Sequence, residues 1–405
     1  MKKLNVYSEI GQLNQVLVHM PGDELLHLTP DWLNDLLFDD IPWLTRAQEE
    51  HRAFQDALEA HGVKVIELID MMKDIIKNSE VKDIFIEQFM DESDIIDRNL
   101  RLNVKAYLNT LSDHQFMHKI ISGILKTDIS PMRKQHLKDY ITDYPFITDP
   151  MPNLYFTRDP FTVIGNDISL HKMHKKNRQR ESIFGQFLYQ YHPFFDEAKL
   201  LYHREDISSI EGGDILNINE EILLIGLSER TQADAIELLV KQLFKITNYT
   251  KVLAILLPKK RTFMHLDTVF TQVDLYHFVV HPELLRPIQI YEITKHENKK
   301  DALKIVETAK MLNHCLKKHL KHEITLIPCG GKNDISADRE QWNDGANVFA
   351  IKPGVVIAYD RNDLTNKKLE ANGIKVIRIP SSELSRGRGG PRCMTMPLNR
   401  LPLFK

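Results

Sequence analysis

The stretch Ser385-Arg386-Gly387-Arg388-Gly389-Gly390-Pro391-Arg392-Cys393-Met394 sets a single thiol behind a run of glycines and arginines. A cysteine with an unperturbed pKa of about 8.5 is only a few per cent thiolate at neutral pH, and nearby cations shift it toward the nucleophilic form. Arg388 and Arg392 are therefore expected to activate Cys393. Glycines, lacking Cβ atoms, let backbone and substrate approach closely. A basic tail carrying an incidental cysteine is the competing reading, and the rest of the chain weighs against it.

Three further stretches supply a base and several acids: Phe156-Thr157-Arg158-Asp159-Pro160, Glu211-Gly212-Gly213-Asp214 and Met264-His265-Leu266-Asp267-Thr268. His265 is the candidate general acid and base. Asp267, two residues on, is expected on the same side of an extended strand, where a carboxylate raises an imidazole pKa. Asp159, Glu211 and Asp267 are candidate receptors for a planar cation. Guanidinium presents five N–H donors in a fixed fork, which carboxylates match two bonds at a time. Each acid alone also has an ordinary reading as a helix cap or ion-pair partner, and for Asp159 the local partner is Arg158. The glycines after Glu211 are expected to allow a tight turn that aims its carboxylate inward. Of the other thiols, Cys315 falls on the apolar face of a predicted helix, and Cys329 has no cationic cluster around it. No metal-ligand spacing is present.

The order and separation of FTRDP, EGGD, MHLDT and RGRGGPRCMTMP resemble the arginine deiminases, a family of the guanidine-modifying superfamily with an α/β-propeller fold. The resemblance runs from Val16-Leu17-Val18-His19-Met20-Pro21-Gly22 to the last dozen residues. It implies hydrolysis of L-arginine to L-citrulline and ammonia, the first step of the deiminase pathway, through a covalent amidino-cysteine at Cys393 and without cofactor or metal. It also implies that Asp159 and Asp267 hold the guanidinium and that Glu211 assists beside His265. Arg178, Arg230 and Arg388 match positions that bind the α-carboxylate, and Asn153 and Phe156 match positions that contact substrate. Within the fold, the alternatives are a deiminase for another guanidine and an amidinotransferase. Outside it stands a silent arginine-binding regulator, which would have no need of Cys393. The tail from Pro397 to Lys405 lacks the acidic ending of many members, which bears on stability or oligomer contacts and not on the chemistry.

These residues need a scaffold that gathers distant segments. Leu58-Glu59-Ala60-His61-Gly62-Val63-Lys64-Val65-Ile66 recurs as Leu369-Glu370-Ala371-Asn372-Gly373-Ile374-Lys375-Val376-Ile377, in each case a helix, a capping glycine and an apolar strand. The same rhythm is expected over 178–202, 231–257 and 301–328, the last with Leu303, Val306, Leu312 and Leu316 on one helix. Five such units, together with the resemblance, predict a five-fold pseudo-symmetric α/β propeller spanning 1–71 and 145–405. A doubly wound sheet is the rival, but no glycine-rich phosphate loop follows an early strand. From Met72 to Tyr144 the rhythm breaks. Apolar residues recur there at helical spacing (Ile84, Ile86, Phe89; Val104, Leu108, Leu111; Met117, Ile120, Ile121, Leu125), predicting an inserted all-helical bundle without a catalytic side chain.

Composition sets the outer bounds. The 405 residues are 42% hydrophobic and 27% charged, ordinary values for a globular chain. A net charge of −3 gives no reason to expect nucleic acid or an anionic membrane as partner. Three scattered cysteines, the polar residues after Met1-Lys2-Lys3 and the lack of a long apolar run together predict a cytoplasmic protein. Self-association into a homo-oligomer stays open.

Overall fold

The computed structural model describes residues 3–129, 144–299, 301–308, 310–331 and 333–403. Within them the chain is a mixed α/β protein built on one local rule, used five times. A central strand pairs antiparallel with a neighbour on one side and parallel with a neighbour on the other. The central strands are Leu13–Val18, Asp167–Leu170, Ile222–Leu227, His277–Val280 and Val355–Tyr359. A parallel neighbour needs a crossover. The helices Leu44–Glu59, Ser182–Tyr191, Ala233–Ile246, Leu312–Leu320 and Asp363–Ala371 provide it, one in each unit.

The first unit is assembled from both ends of the chain. Leu13–Val18 runs antiparallel to Met396–Arg400 and parallel to Lys64–Glu67. The repeated segments around Gly62 and Gly373 end their helices in left-handed turns, at φ of 78° and 82°. A Cβ there would meet nothing within 4 Å, so backbone conformation is what selects glycine at both positions. Strands such as Ile222–Leu227 are buried on both faces, which explains their unbroken apolar sequence.

One expected element is different. Leu303 and Val306 do not lie on a helix: Leu303–Glu307 is a strand paired antiparallel with Ile290–Lys295 at the end of a five-stranded sheet. The helix of that unit starts only at Leu312. The β-branched pair Ile305-Val306 favours the extended form, and both side chains are exposed.

Between the first and second units lie the helices Leu68–Ile76, Ser79–Glu92, Arg98–Thr110 and Asp113–Ser122. Phe85 packs against Phe89 and Phe116 between them and meets Phe184 and Phe187 of the second unit's crossover helix. Ile84, expected on the apolar side, faces solvent. The first of these helices starts four residues before Met72, and 130–143, with Pro131, lie outside the described residues, as do Phe404 and Lys405. Among the described residues no helix is long and apolar enough to cross a membrane.

The repetition has a chemical consequence. Asp159, Glu211, His265 with Asp267, and Cys393 each sit just ahead of the first strand of a unit: Phe161–Ile164, Ile215–Asn217, Phe270–Gln272 and Met396–Arg400. Residues far apart in sequence thus occupy equivalent corners of successive units.

Candidate active site

A cavity of about 340 Å³ takes Cys393, His265, Asp159, Asn153, Phe156, Arg178, Arg230 and Arg388 into its wall. The glycines make this closeness sterically feasible. A Cβ on Gly212 would lie 2.0 Å from the Arg158 carbonyl oxygen, and one on Gly213 would lie 2.7 Å from the His265 ring. Close approach, not a positive φ, is what requires them. Gly387 and Gly389 likewise leave room for Tyr155 and Phe156.

His265 is buried and bonds through Nε2 to Glu211 Oε2 at 2.7 Å, while its Nδ1 lies 3.8 Å from Asp159 Oδ1. Burial alone would lower its pKa. Asp159 and the hydrogen bond to Glu211 outweigh burial and raise it to about 9. The expected pairing with Asp267 is not formed, because Leu266–Thr268 is a 3-10 turn that sends Asp267 toward Cys393. Glu211 is held well below the usual carboxylate range. Its burial opposes this, but Arg230 (3.7 Å) and His265 prevail.

Asp159 makes no pair with its neighbour Arg158. It accepts from Arg178 Nη1 at 2.8 Å and from the Gly213 amide at 3.2 Å. Arg158 instead donates to the Arg392 carbonyl and to Thr395 Oγ1, bracing the loop that carries the thiol. Asp159, Glu211 and His265 also bring ligand atoms within 4.8 Å of one another, a spacing that suits a metal ion. Protein cations already balance this cluster: Arg178 on Asp159, and Arg230 and the imidazole on Glu211.

Cys393 Sγ lies 3.5 Å from Asp267 Oδ2. Burial pushes its thiol well above the usual value, and Asp267, Asp159 and Asp344 push the same way. This reverses the expectation that neighbouring arginines favour the thiolate. Arg392 alone pulls the other way, but it is bonded to Glu9 (3.0 Å) and Asp267 (2.7 Å), and burial and the acids outweigh it. Arg388 lies over Trp342, with Cζ 3.3 Å from the ring centroid, and donates to the Trp342 carbonyl. The rival thiols are elsewhere: Cys315 is buried on its helix, and Cys329 packs against Thr365, its thiol raised by burial to about 12.

The three arginines differ in how committed they are. Arg178 is fully engaged, by Glu181 on one side and Asp159 on the other. Arg230 keeps Nε and Nη1 buried without a hydrogen bond, and Arg388 keeps Nε so, although Glu211 and Asp39 stand 3.7 Å from Arg230 Nη1 and Arg388 Nε. A ligand that accepts from such donors gains what they otherwise lack. Asn153 donates to the Leu36 carbonyl at 2.8 Å, tying the 34–37 segment to the rim.

Two residues escaped notice in the sequence. Asn347 accepts from the Cys393 amide at 3.1 Å and donates to the Asp267 carbonyl at 3.0 Å, fixing thiol and acid together. It precedes the first strand of the fifth unit, Phe349–Lys352, the one position the motifs did not mark. Asp214 accepts from the Leu266 amide (2.8 Å) and Ser228 Oγ (2.6 Å), joining the turn after His265 to the loop that carries Arg230. It stands inside EGGD, but its role there had no signal of its own.

The arginine deiminase family model matches residues 34–400. The arginine deiminase of Clostridium perfringens is 47% identical over 406 residues, covering 98% of each chain. That of Streptococcus gordonii is 46% identical over 404 residues, again covering 98% of each. Among solved structures, an amidinotransferase of the saxitoxin biosynthetic pathway from Microseira wollei superposes with a TM-score of 0.58 at 17% identity, covering 100% of this chain and 99% of its own. The N-terminal domain of a cyanobacterial arginine dihydrolase gives 0.54 at 14% identity, with 96% and 99% coverage. These structural likenesses speak to fold, and the sequence relatives speak to lineage. On the match across nearly its whole length, the chain belongs to the arginine deiminase family.

Proposed function

We propose that this protein hydrolyses L-arginine to L-citrulline and ammonia through a covalent intermediate on Cys393. One observation carries the assignment of roles. The Cys393 thiol, the His265 imidazole and the Asp159 carboxylate line one cavity, each from a different loop, with Asp267 against the thiol and Glu211 against the imidazole. The neutral thiol of the free protein suits a cationic substrate. Guanidinium arriving between Asp159 and Asp267 offsets the negative charge that holds the proton on sulfur, so the thiol loses its proton to solvent as substrate binds.

The thiolate attacks the guanidinium carbon. An S–C bond forms, His265 gives its proton to a terminal nitrogen, and ammonia leaves as the C–N bond breaks. The neutral imidazole then takes a proton from water, whose oxygen adds to the amidino carbon. Collapse breaks the S–C bond and releases citrulline's urea group with the thiol. Glu211 keeps the imidazole oriented and charged for the first step. Splitting one hard hydrolysis into two easier displacements is the gain from covalent catalysis, and the chemistry asks for no metal or cofactor. Arg230 and Arg388, with donors that lack a hydrogen bond, receive the α-carboxylate, and Arg178 adds charge behind Asp159. Asn153 and Phe156 shape the wall along the aliphatic chain.

The five equivalent units are taken to close into a five-fold propeller over 1–71 and 145–405, with 72–144 as a helical insert. Support comes from the repeated strand order and from the first unit's use of both chain ends. Our reading takes the enzyme to work in the cytoplasm, on a small molecule and not on nucleic acid or membrane. Incubating purified protein with arginine and assaying citrulline tests the reading. Stoichiometric citrulline and ammonia are expected, and their absence with a folded protein would reject it.

A further inference from the structure

Helix Asp113–Ser122 begins with a capping box: the Gln115 amide donates to Ser112 Oγ, and Gln115 Oε1 accepts from the Ser112 amide. The box fixes the first turn, which carries His114. His118 follows four residues later, on the same face of the helix. The two rings have centroids 4.3 Å apart, and their Nε2 atoms are 3.2 Å apart. His114 is exposed and His118 half-buried. Among the described residues, neither ring has a hydrogen bond other than the one between them.

Two facing imidazole nitrogens at this distance can share one proton or one metal ion. An ion about 2.0–2.1 Å from each nitrogen, at octahedral to tetrahedral angles, sets them roughly 2.9–3.4 Å apart. The observed separation falls within that span. Paired histidines at this helical spacing are also the arrangement by which a helix can present two ligands to zinc. The turn Asp23–Leu25 packs on this helix and brings the acids Asp23 and Glu24 toward the pair. Glu24 is already engaged by the Gly22 amide and His19, and Asp23 is exposed.

We propose that His114 and His118 form a surface site for a divalent transition-metal ion of the zinc, nickel or copper kind, with water completing its coordination. Hard ions such as magnesium, which prefer oxygen ligands, would not bind there. An ion held at both rings would cross-link the first two turns of the helix, which packs on Leu68–Ile76. The site is separate from the cavity that holds Cys393.

Calorimetric titration of the untagged full chain with Ni²⁺, Zn²⁺ and Mg²⁺ tests it, alongside His114→Ala, His118→Ala and His265→Ala. One nickel and zinc site should lose at least about ten-fold in affinity in either His114→Ala or His118→Ala and persist in His265→Ala, with no magnesium binding there. Metal-free melting temperature and citrulline production should match wild type in the two surface variants. Equal metal binding by wild type and both surface variants would overturn the proposal, leaving the pair as an inter-imidazole hydrogen bond. Loss of the site only in His265→Ala would overturn it too, by placing the metal in the cavity.

Discussion

Arg392 and Asp267 are bonded at 2.7 Å through the same carboxylate oxygen, Oδ2, that lies 3.5 Å from Cys393 Sγ. The cation next to the thiol in sequence therefore serves the acid beside it, and the sulfur faces net negative charge. On the proposed mechanism, this arrangement keeps the thiol protonated until a cation arrives. Free protein should react slowly with iodoacetamide at pH 7 and faster as pH rises. Asp267→Asn, which removes a charge that holds the proton on sulfur, should speed alkylation at neutral pH while cutting arginine turnover by roughly 10²-fold or more. Alkylation of Asp267→Asn no faster than wild type would contradict this account of the thiol.

His265 should limit activity on the alkaline side. Its pKa of about 9 keeps it charged at neutral pH, ready to protonate the leaving nitrogen. The rate should fall as pH rises through that value, and Glu211→Gln should move the fall toward 6.5, the ordinary histidine value. His265→Ala should suppress both adduct formation and adduct hydrolysis, each by roughly 10²-fold or more. Near-normal citrulline production by that variant would remove His265 from the mechanism.

A second histidine predicts how stability depends on pH. His19 lies between Glu67 (3.0 Å) and Glu24 (3.3 Å); burial opposes its charge, but the two acids raise its pKa to about 9. Its folded value exceeds the ordinary 6.5, so the charged ring contributes stability in full below that pH and loses it as pH rises through about 9. His265 adds a loss of the same sign. Melting temperature should decline over this window, less steeply in His19→Gln. An unchanged slope in the variant would show that the buried cluster does not carry the effect.

Specificity should follow the carboxylate. Arginine should exceed its decarboxylated relative agmatine in kcat/KM by at least about 10³-fold, because agmatine leaves clustered donors without their anion. Arg388→Ala should harm arginine much more than agmatine, and Lys should rescue poorly, since it loses the planar fork. Arg388 Cζ lies 3.3 Å from the centre of the Trp342 ring, so Trp342 fluorescence should change when arginine binds to Arg388. Comparable efficiency for both substrates in wild type would dismiss the carboxylate pocket.

Much of the fold was legible because each unit advertises itself: an amphipathic helix, a stop, then an apolar strand. The Gly62 and Gly373 caps show this plainly, since left-handed turns leave a residue-type mark. Leu303 and Val306 misled because an exposed edge strand buries too little to impose alternation, and two apolar residues three apart imitate a helix. Around the site, residue types with distinctive chemistry were visible and their pairings were not. Asp267 belongs to Arg392 and the thiol, Glu211 to His265, and Asp159 to Arg178, because a 3-10 turn and three chain crossovers intervene. Asn347 gave no signal, since a neutral amide acting through two backbone bonds resembles any loop residue.

The central claim is a covalent amidino intermediate on one cysteine. Acid quenching of the enzyme during turnover of arginine, followed by mass spectrometry of its peptides, tests it most directly. The account requires an amidine adduct on the peptide that contains Cys393, and none on those with Cys315 or Cys329. The adduct should be absent in Cys393→Ser, which should keep its fold and lose turnover. Citrulline formed at a normal rate by Cys393→Ser, or an adduct on Cys329, would contradict it.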